Sequence, residues 1–277
     1  PRESGKTQIK GLIVSTYNET PSHYYSVKSL QQWLIDEKIP AVEIRDTRFL
    51  AKKIRARGAM LGKIINNKNI PFADPNKANL VAEVSQKNIT VDGLGKYTIV
   101  QIDCGTKRSI ATSLKKRKVK VLTIPWDMNP LDLKEKFDAV LISNGPGDPT
   151  KIPETIKNVH GLLKRKIPIL GICLGNQILA LAAGGKTKKL KFGHRGQNQP
   201  CILVGTKKCY LTTQNHGYVV RQIPTGFNQW FINANDQTNE GLIHKTLPIM
   251  SVQFHPEATP GPTDTEWIFD YFLNKLK

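Results

Sequence analysis

One cysteine of four sits in the pattern of a nucleophile. In Ile167-Pro-Ile-Leu-Gly-Ile-Cys173-Leu-Gly-Asn-Gln177, an apolar, mostly β-branched run ends at the sulfur. A helix-forming run from Ile178 to Ala183 follows, and Gly184-Gly185 ends it. A side chain at such a strand-to-helix turn stands above the sheet, and glycines at 171 and 175 let the turn close and pack tightly. The helix N-terminus places positive potential beside the sulfur, which favours a thiolate. A small buried hydrophobe, the usual role of a free cysteine, would fit the same residues.

A nucleophilic thiol needs a base, and the base needs an orienting group. His255 closes an apolar run in Ser251-Val-Gln-Phe-His255-Pro-Glu257. In extended backbone, residues two apart face the same way, so Glu257 can reach back to the imidazole. Such a carboxylate fixes the tautomer and stabilises the imidazolium. A third stretch, Ser143-Asn-Gly145-Pro-Gly147-Asp-Pro149, follows another apolar run. It brings backbone amides to the carboxyl end of a sheet, where open α/β folds bind ligands. Pro146 has no N–H, so Gly145 and Gly147 are the donors that could join the Leu174 N–H in an oxyanion hole. A plain turn would use the same glycines and proline.

The elements that must position these residues are legible around them. Thr98–Asp103, Val119–Ile124, Ala139–Ser143, Ile167–Ile172 and Ile249–Phe254 read as strands buried on both faces. Thr263-Asp-Thr-Glu266 has the form of a capping box ahead of a helix with Ile268, Phe272 and Leu276 on its apolar face. Residues 97–277 are therefore expected to form an α/β domain: an open, mostly parallel sheet with helices on both faces. Upstream, Gly11–Ser15 reads as a strand, and Ser26–Glu37 as a helix with Val27, Leu30, Trp33 and Leu34 on one face. Asp46-Thr47 caps a second helix that runs to Arg57 and ends at Gly58. Residues 1–66 are expected as a smaller, partial α/β domain and 67–96 as a linker, with a short helix around Asn79–Gln86.

Length and composition set the outer limits. A chain of 277 residues is comfortable for two domains. It contains no apolar run long enough to span a membrane and opens with Pro1, as a piece of a longer protein would. The formal charge of +19 raises the question of nucleic acid. The lysines and arginines are spread from Lys52 to Lys191 without interleaved aromatics, so no base-stacking platform is expected and nucleic acid is not a partner. The cysteines at 104, 173, 201 and 209 show no metal-ligand spacing, so no metal is expected, and free thiols fit a reducing cytoplasm. No glycine-rich phosphate loop is present, so ATP is not expected on this chain.

In this order, the three site motifs resemble those of the class I glutamine amidotransferases. Gly171-Ile-Cys-Leu-Gly-x-Gln177, Lys191-Phe-Gly-His-Arg-Gly-Gln-Asn-Gln-Pro200, Thr213-Gln-Asn-His-Gly217 and Gln253-Phe-His-Pro-Glu257 are similar to the small subunit of carbamoyl-phosphate synthetase. Ile124-Pro-Trp-Asp127 and Asn198-Gln-Pro-Cys201 lean toward the fused form of eukaryotic pyrimidine synthesis. Pro21-Ser-His23, Asp46-Thr-Arg-x-Leu50, Arg57-Gly58 and Leu61-Gly62 resemble the second half of that family's N-terminal domain.

The resemblance implies that Cys173 is the nucleophile, His255 the base and acid, and Glu257 its partner. Glutamine would be held by Gly145, Gly147, Leu174, Gln177, Asn215, Gly217 and Tyr218. Neutral polar side chains such as Gln177 and Asn215 also suit the amide, ammonium and carboxylate groups of that ligand. The family's urea-cycle member has serine at the nucleophile position and cannot use glutamine; this chain has cysteine.

The implied partner is a synthetase, as a separate large subunit or a fused domain, carrying ATP and Mg. Asn176 departs from the pattern, which has histidine there. The first part of the N-terminal domain, with a loop that adds a serine near glutamine, is also missing. Competing readings are an amidotransferase for anthranilate, GMP or CTP synthesis, or a catalytically silent interaction domain.

Overall fold

The structure is a computed structural model that describes residues 3–24, 26–65 and 69–276. The chain divides into two compact units, residues 2–74 and 75–277. The expected boundary at 66/67 lies outside the described residues.

In the smaller unit, β1 (Leu12–Val14) and β2 (Ala41–Glu43) pair in parallel, connected through α1 (Leu30–Asp36), and α2 (Thr47–Arg57) follows. Asp46 caps α2 by accepting from the Phe49 N–H at 2.7 Å, and Gly58, at φ 89°, ends it as expected. Helix α1 is shorter than its apolar pattern suggests. Ser29 takes the N-cap and accepts from the Gln32 N–H at 3.1 Å, leaving Val27 outside the helix and 95% exposed. The cap overrides the periodicity.

The larger unit begins with α3 (Leu80–Val84) and β3 (Thr90–Asp92), both within the stretch expected as a linker. Next come β4 (Tyr97–Asp103), α4 (Arg108–Lys116), β5 (Val119–Pro125), β6 (Ala139–Ile142), α5 (Pro153–Lys164), β7 (Ile169–Ile172) and α6 (Leu174–Ala182). The chain then runs through β8 (Lys186–Leu203), β9 (Cys209–Gln222), β10 (Phe227–Asn233), β11 (Asn239–His244), β12 (Ile249–Val252) and α7 (Trp267–Asn274).

One sheet takes the order β3-β5-β4-β6-β7-β12-β11-β10-β8-β9. From β5 to β12 the pairings are parallel; β3 at one edge and the β11-β10-β8-β9 flank are antiparallel. The sheet is therefore mixed, with a parallel centre, because β8–β11 add an antiparallel flank. Helices cover both faces. Val100, Ile102, Val140 and Ile142 pack with α5 and α6, while their alternating neighbours Ile99, Val121 and Leu141 pack with α4 and α7. The capping box at Thr263–Glu266 does not form: α7 starts at Trp267 and Glu266 makes no side-chain cap bond. Among the described residues, no helix is long and apolar enough to cross a membrane.

Candidate active site

Strands β7 and β12 are parallel neighbours with Ile172 opposite Val252, and the Cys173 N–H donates to the Val252 carbonyl at 2.8 Å. The register thus delivers Cys173 and, three residues past the end of β12, His255 to the same edge of the sheet. Cys173 holds φ 54°, ψ −100°, a conformation an L-residue adopts only under constraint. The elbow glycines are required sterically. A methyl on Gly171 would lie 2.7 Å from the Gly175 carbonyl oxygen, and one on Gly175 would lie 2.2 Å from that of Ile142. Leu174 opens α6, so its N–H has no partner within the helix.

The His255 Nδ1–H donates to Glu257 Oε1 at 2.7 Å, which leaves Nε2 for the Cys173 sulfur, within hydrogen-bonding reach of the ring. All three residues are buried. Burial pushes the imidazole down, but the Glu257 carboxylate and the Cys173 sulfur outweigh it and raise its pKa to about 10. For Glu257, burial raises the carboxyl, and His255 and then Lys107 reverse this, holding it below its ordinary value. Glu257 is in fact shared: Lys107 Nζ lies 3.0 Å from the same Oε1 and donates to the Ala258 carbonyl at 2.6 Å.

Lys107 arrives through the turn after β4. Asp103 Oδ1 accepts from the Gly105 and Thr106 N–H groups at 2.9 and 2.8 Å, building that turn. The turn is tied to the loop after β6. The Cys104 N–H donates to Ser143 Oγ at 2.9 Å, and the Lys107 N–H to Asn144 Oδ1 at 3.0 Å. Sequence reasoning passed over Lys107. Its position directly beyond the end of β4, on the edge that bears Cys173, was the available signal.

The residues expected to hold the substrate are distributed unevenly. Gly145 packs so closely that an added methyl would sit 2.7 Å from the Leu174 side chain and 2.1 Å from the Cys104 carbonyl oxygen. Gln177 Nε2 donates to the Tyr218 carbonyl at 2.9 Å and to Gln253 Oε1 at 3.1 Å, leaving its own carbonyl free to accept. Those bonds join Gln177 and Tyr218 to the cysteine's surroundings. Gly147, at φ 88°, faces Leu80. Asn215, exposed on β9, and Gly217 make no hydrogen bond to the triad among the described residues. They share a strand face with Thr213, whose carbonyl accepts from the His255 N–H at 2.9 Å.

Asn176 does not disturb the elbow. Its Oδ1 accepts from Ser251 Oγ at 2.8 Å and its Nδ2 donates to Gln253 Oε1 at 3.2 Å. A neutral imidazole offers the same single donor and single acceptor.

Among the described residues, His194, His216 and Glu240 bring metal-capable atoms within 4.8 Å of one another. Their protons are already committed. His194 spans Asp236 at 2.9 Å through Nε2 and Glu240 at 3.1 Å through Nδ1. Burial lowers this imidazole, but the two carboxylates outweigh it and raise its pKa to about 9. His194 is then the cation of the cluster, and a metal would have to displace one of its two ring protons. His216 is pushed down to about 3 by burial and by His194. The group reads as an ion-pair network that supports Gln214 of β9.

Comparisons with known proteins bear on the family of this chain. Residues 100–275 match the family model "Glutamine amidotransferase class-I", and residues 1–64 match "Carbamoyl-phosphate synthase small chain, CPSase domain". Human "Carbamoyl-phosphate synthase [ammonia], mitochondrial" is 45% identical over 280 residues, covering 99% of this chain and 18% of that protein. "Multifunctional protein CAD" of Squalus acanthias is 47% identical over 280 residues, covering 98% of this chain and 12% of that protein. The Neurospora crassa "Carbamoyl phosphate synthase arginine-specific small chain" is 42% identical, covering 99% and 63% respectively. The chain thus spans under a fifth of the first two. A Thermoplasma acidophilum structure described as a component of GMP synthase superposes with a TM-score of 0.58 at 25% identity, covering 67% of this chain and 94% of that one. From β4 to its last helix, this chain belongs to the class I glutamine amidotransferases.

Proposed function

We propose that this chain hydrolyses L-glutamine to glutamate and ammonia, and that the ammonia passes to a carbamoyl-phosphate synthetase large subunit or fused synthetase domain. There, ATP, Mg and bicarbonate would complete carbamoyl phosphate, the first step of pyrimidine biosynthesis. The observation that carries this reading is the buried set Cys173, His255 and Glu257 at one edge of the sheet.

In the mechanism, the Cys173 thiolate attacks the side-chain carbonyl carbon of glutamine. The Leu174 and Gly145 amides, with Gly147, receive the oxyanion. His255 Nε2 gives its proton to the departing ammonia, leaving a γ-glutamyl thioester. Water then loses a proton to the same nitrogen, attacks the carbonyl carbon and frees glutamate. Glu257 holds Nδ1–H throughout. Gln177, Asn215, Gly217 and Tyr218 bind the amino-acid end of the substrate. No cofactor enters these steps.

Residues 1–66 are read as part of the small-subunit N-terminal domain, in keeping with the family match over 1–64, with 67–96 as a linker and 97–277 as the amidotransferase domain. Free thiols at all four cysteines support a cytoplasmic setting. Four of the relatives carry "ammonia" in their names. The complete triad favours glutamine as the nitrogen source here.

Glutamate release from glutamine, measured with and without a synthetase partner, tests the proposal. The isolated chain should turn over slowly and the partner should accelerate it at least about tenfold, roughly 1.4 kcal/mol of barrier. With Cys173→Ala, the assembly should make carbamoyl phosphate from ammonium salt and none from glutamine. Loss of the ammonia-dependent reaction, with assembly intact, would refute this division of labour.

A further inference from the structure

The proposed mechanism gives no work to Gln253, yet this buried side chain touches the reacting atom. Its Nε2 lies 3.7 Å from Cys173 Sγ, a long N–H···S contact, and 3.4 Å from the Cys173 carbonyl oxygen. Its Oε1 accepts from Asn176 Nδ2 at 3.2 Å and from Gln177 Nε2 at 3.1 Å.

The direction of this amide follows from the groups around it. A backbone carbonyl can only accept. The Tyr218 carbonyl therefore draws the NH2 end of Gln177, and that same nitrogen must meet the oxygen of Gln253. At the other end, the Cys173 carbonyl draws the NH2 of Gln253. Turning the Gln253 amide over would set donor against donor at Asn176 and Gln177, and oxygen against oxygen at Cys173. Ser251, donating to Asn176 Oδ1 at 2.8 Å, completes the network.

We propose, building on the glutaminase reading, that Gln253 is a catalytic residue whose amide donates to the Cys173 sulfur whenever that sulfur is anionic, with Asn176 as its positioning residue. Thiolate sulfur is a strong acceptor and thioester sulfur a poor one. The contact therefore matters at both ends of the cycle. Before attack it donates to the thiolate. During deacylation, water bonds to the carbonyl carbon, the carbon–sulfur bond breaks and its electron pair returns to sulfur facing the Gln253 N–H. Loss of the donor slows this departure most, so the γ-glutamyl thioester accumulates and kcat and KM fall together.

The test uses Gln253→Leu in the full chain. Iodoacetamide modification of Cys173 should slow about tenfold at pH 7 and stay within about twofold of wild type at pH 10, as for loss of a hydrogen bond to a charged group. Thioester trapped from labelled glutamine should rise as kcat falls. Slowing of equal size at both pH values, or an unchanged kcat in a folded variant, would overturn the proposal.

If Gln253→Leu does not fold, Asn176→Ala decides. It should lose about two- to fourfold at pH 7, and Asn176→His should restore the rate. No loss, or no restoration, counts against the proposal. A wild-type chain that released no glutamate would remove the glutaminase reading instead, while the alkylation contrast would still stand or fall by itself.

Discussion

Two cysteines end neighbouring parts of the same sheet and meet opposite fates. Cys104 follows β4 and Cys173 follows β7; both are buried and both adjoin a glycine-bearing turn. Burial, and then the adjacent Asp103 carboxylate, push the Cys104 thiol up, so it stays protonated and packs as a small hydrophobe. Cys173 instead sits at the start of a helix in a strained backbone, with an imidazole and an amide nitrogen turned toward it. Residue type and burial are shared, so reactivity follows from the charges and dipoles supplied by neighbouring strands.

The sharpest break in this comparison is a pair of alanines. Cys173→Ala should abolish glutaminase turnover, by about ten-thousandfold or more, with melting nearly unchanged. Cys104→Ala should leave turnover within about twofold while costing about 1 kcal/mol of stability through the lost packing. Both follow from steady-state kinetics and thermal melts. A large kinetic loss at position 104 would erase the distinction.

Glu257→Gln comes next, with turnover falling about a hundred- to a thousandfold, less than Cys173→Ala. Its second signature is in stability against pH. The His255 pKa is raised to about 10 in the fold, so its contribution is full below about pH 6.5 and drains away as pH climbs toward 10. Denaturant midpoints of wild type should fall across that window, and those of Glu257→Gln should fall less.

Thiol labelling sharpens the contrast further. A glutamine-like chloroketone should modify Cys173 alone. A simple alkylator should reach Cys173 and the exposed Cys209 while sparing Cys104 and Cys201, whose thiols burial pushes up. Peptide mapping after partial reaction distinguishes the four. Modification of Cys104 ahead of Cys173 would contradict the electrostatic account.

The smallest effect belongs to Lys107→Met. The amine adds a second cation to a carboxylate already paired with His255, so turnover should fall about two- to fivefold, most visibly as a shift in its pH profile. A loss as large as that of Glu257→Gln would make the lysine an equal member of the site.

The site was legible because its positions punctuate strong patterns. Cys173, His255 and the Gly145 turn each follow an apolar run that periodicity identifies. The antiparallel flank escaped for the opposite reason. Strand β8 reads Lys-Thr-Lys-Lys-Leu-Lys-Phe-Gly and carries irregular pairing between Lys189 and His194 and between Gly196 and Gln199, so alternation is lost. The three residues of β3 are exposed and too few to show a period. Lys107 and Gln253 act through partners remote in sequence, and no local spacing marks such contacts.

The parallel ladder between β7 and β12 works as a ruler. Nucleophile and base follow the ends of adjacent strands, locked by the bond from the Cys173 N–H to the Val252 carbonyl. A one-residue slip would turn every side chain of β12 to the other face and carry His255 away from the sulfur. Evolution and the engineer thus have unequal freedom here. The stretch from Val204 to Lys208, joining β8 to β9, lies outside the β7–β12 pairing and is a natural place to graft a segment or relocate the chain ends. The few residues between β12 and the histidine admit no change of length.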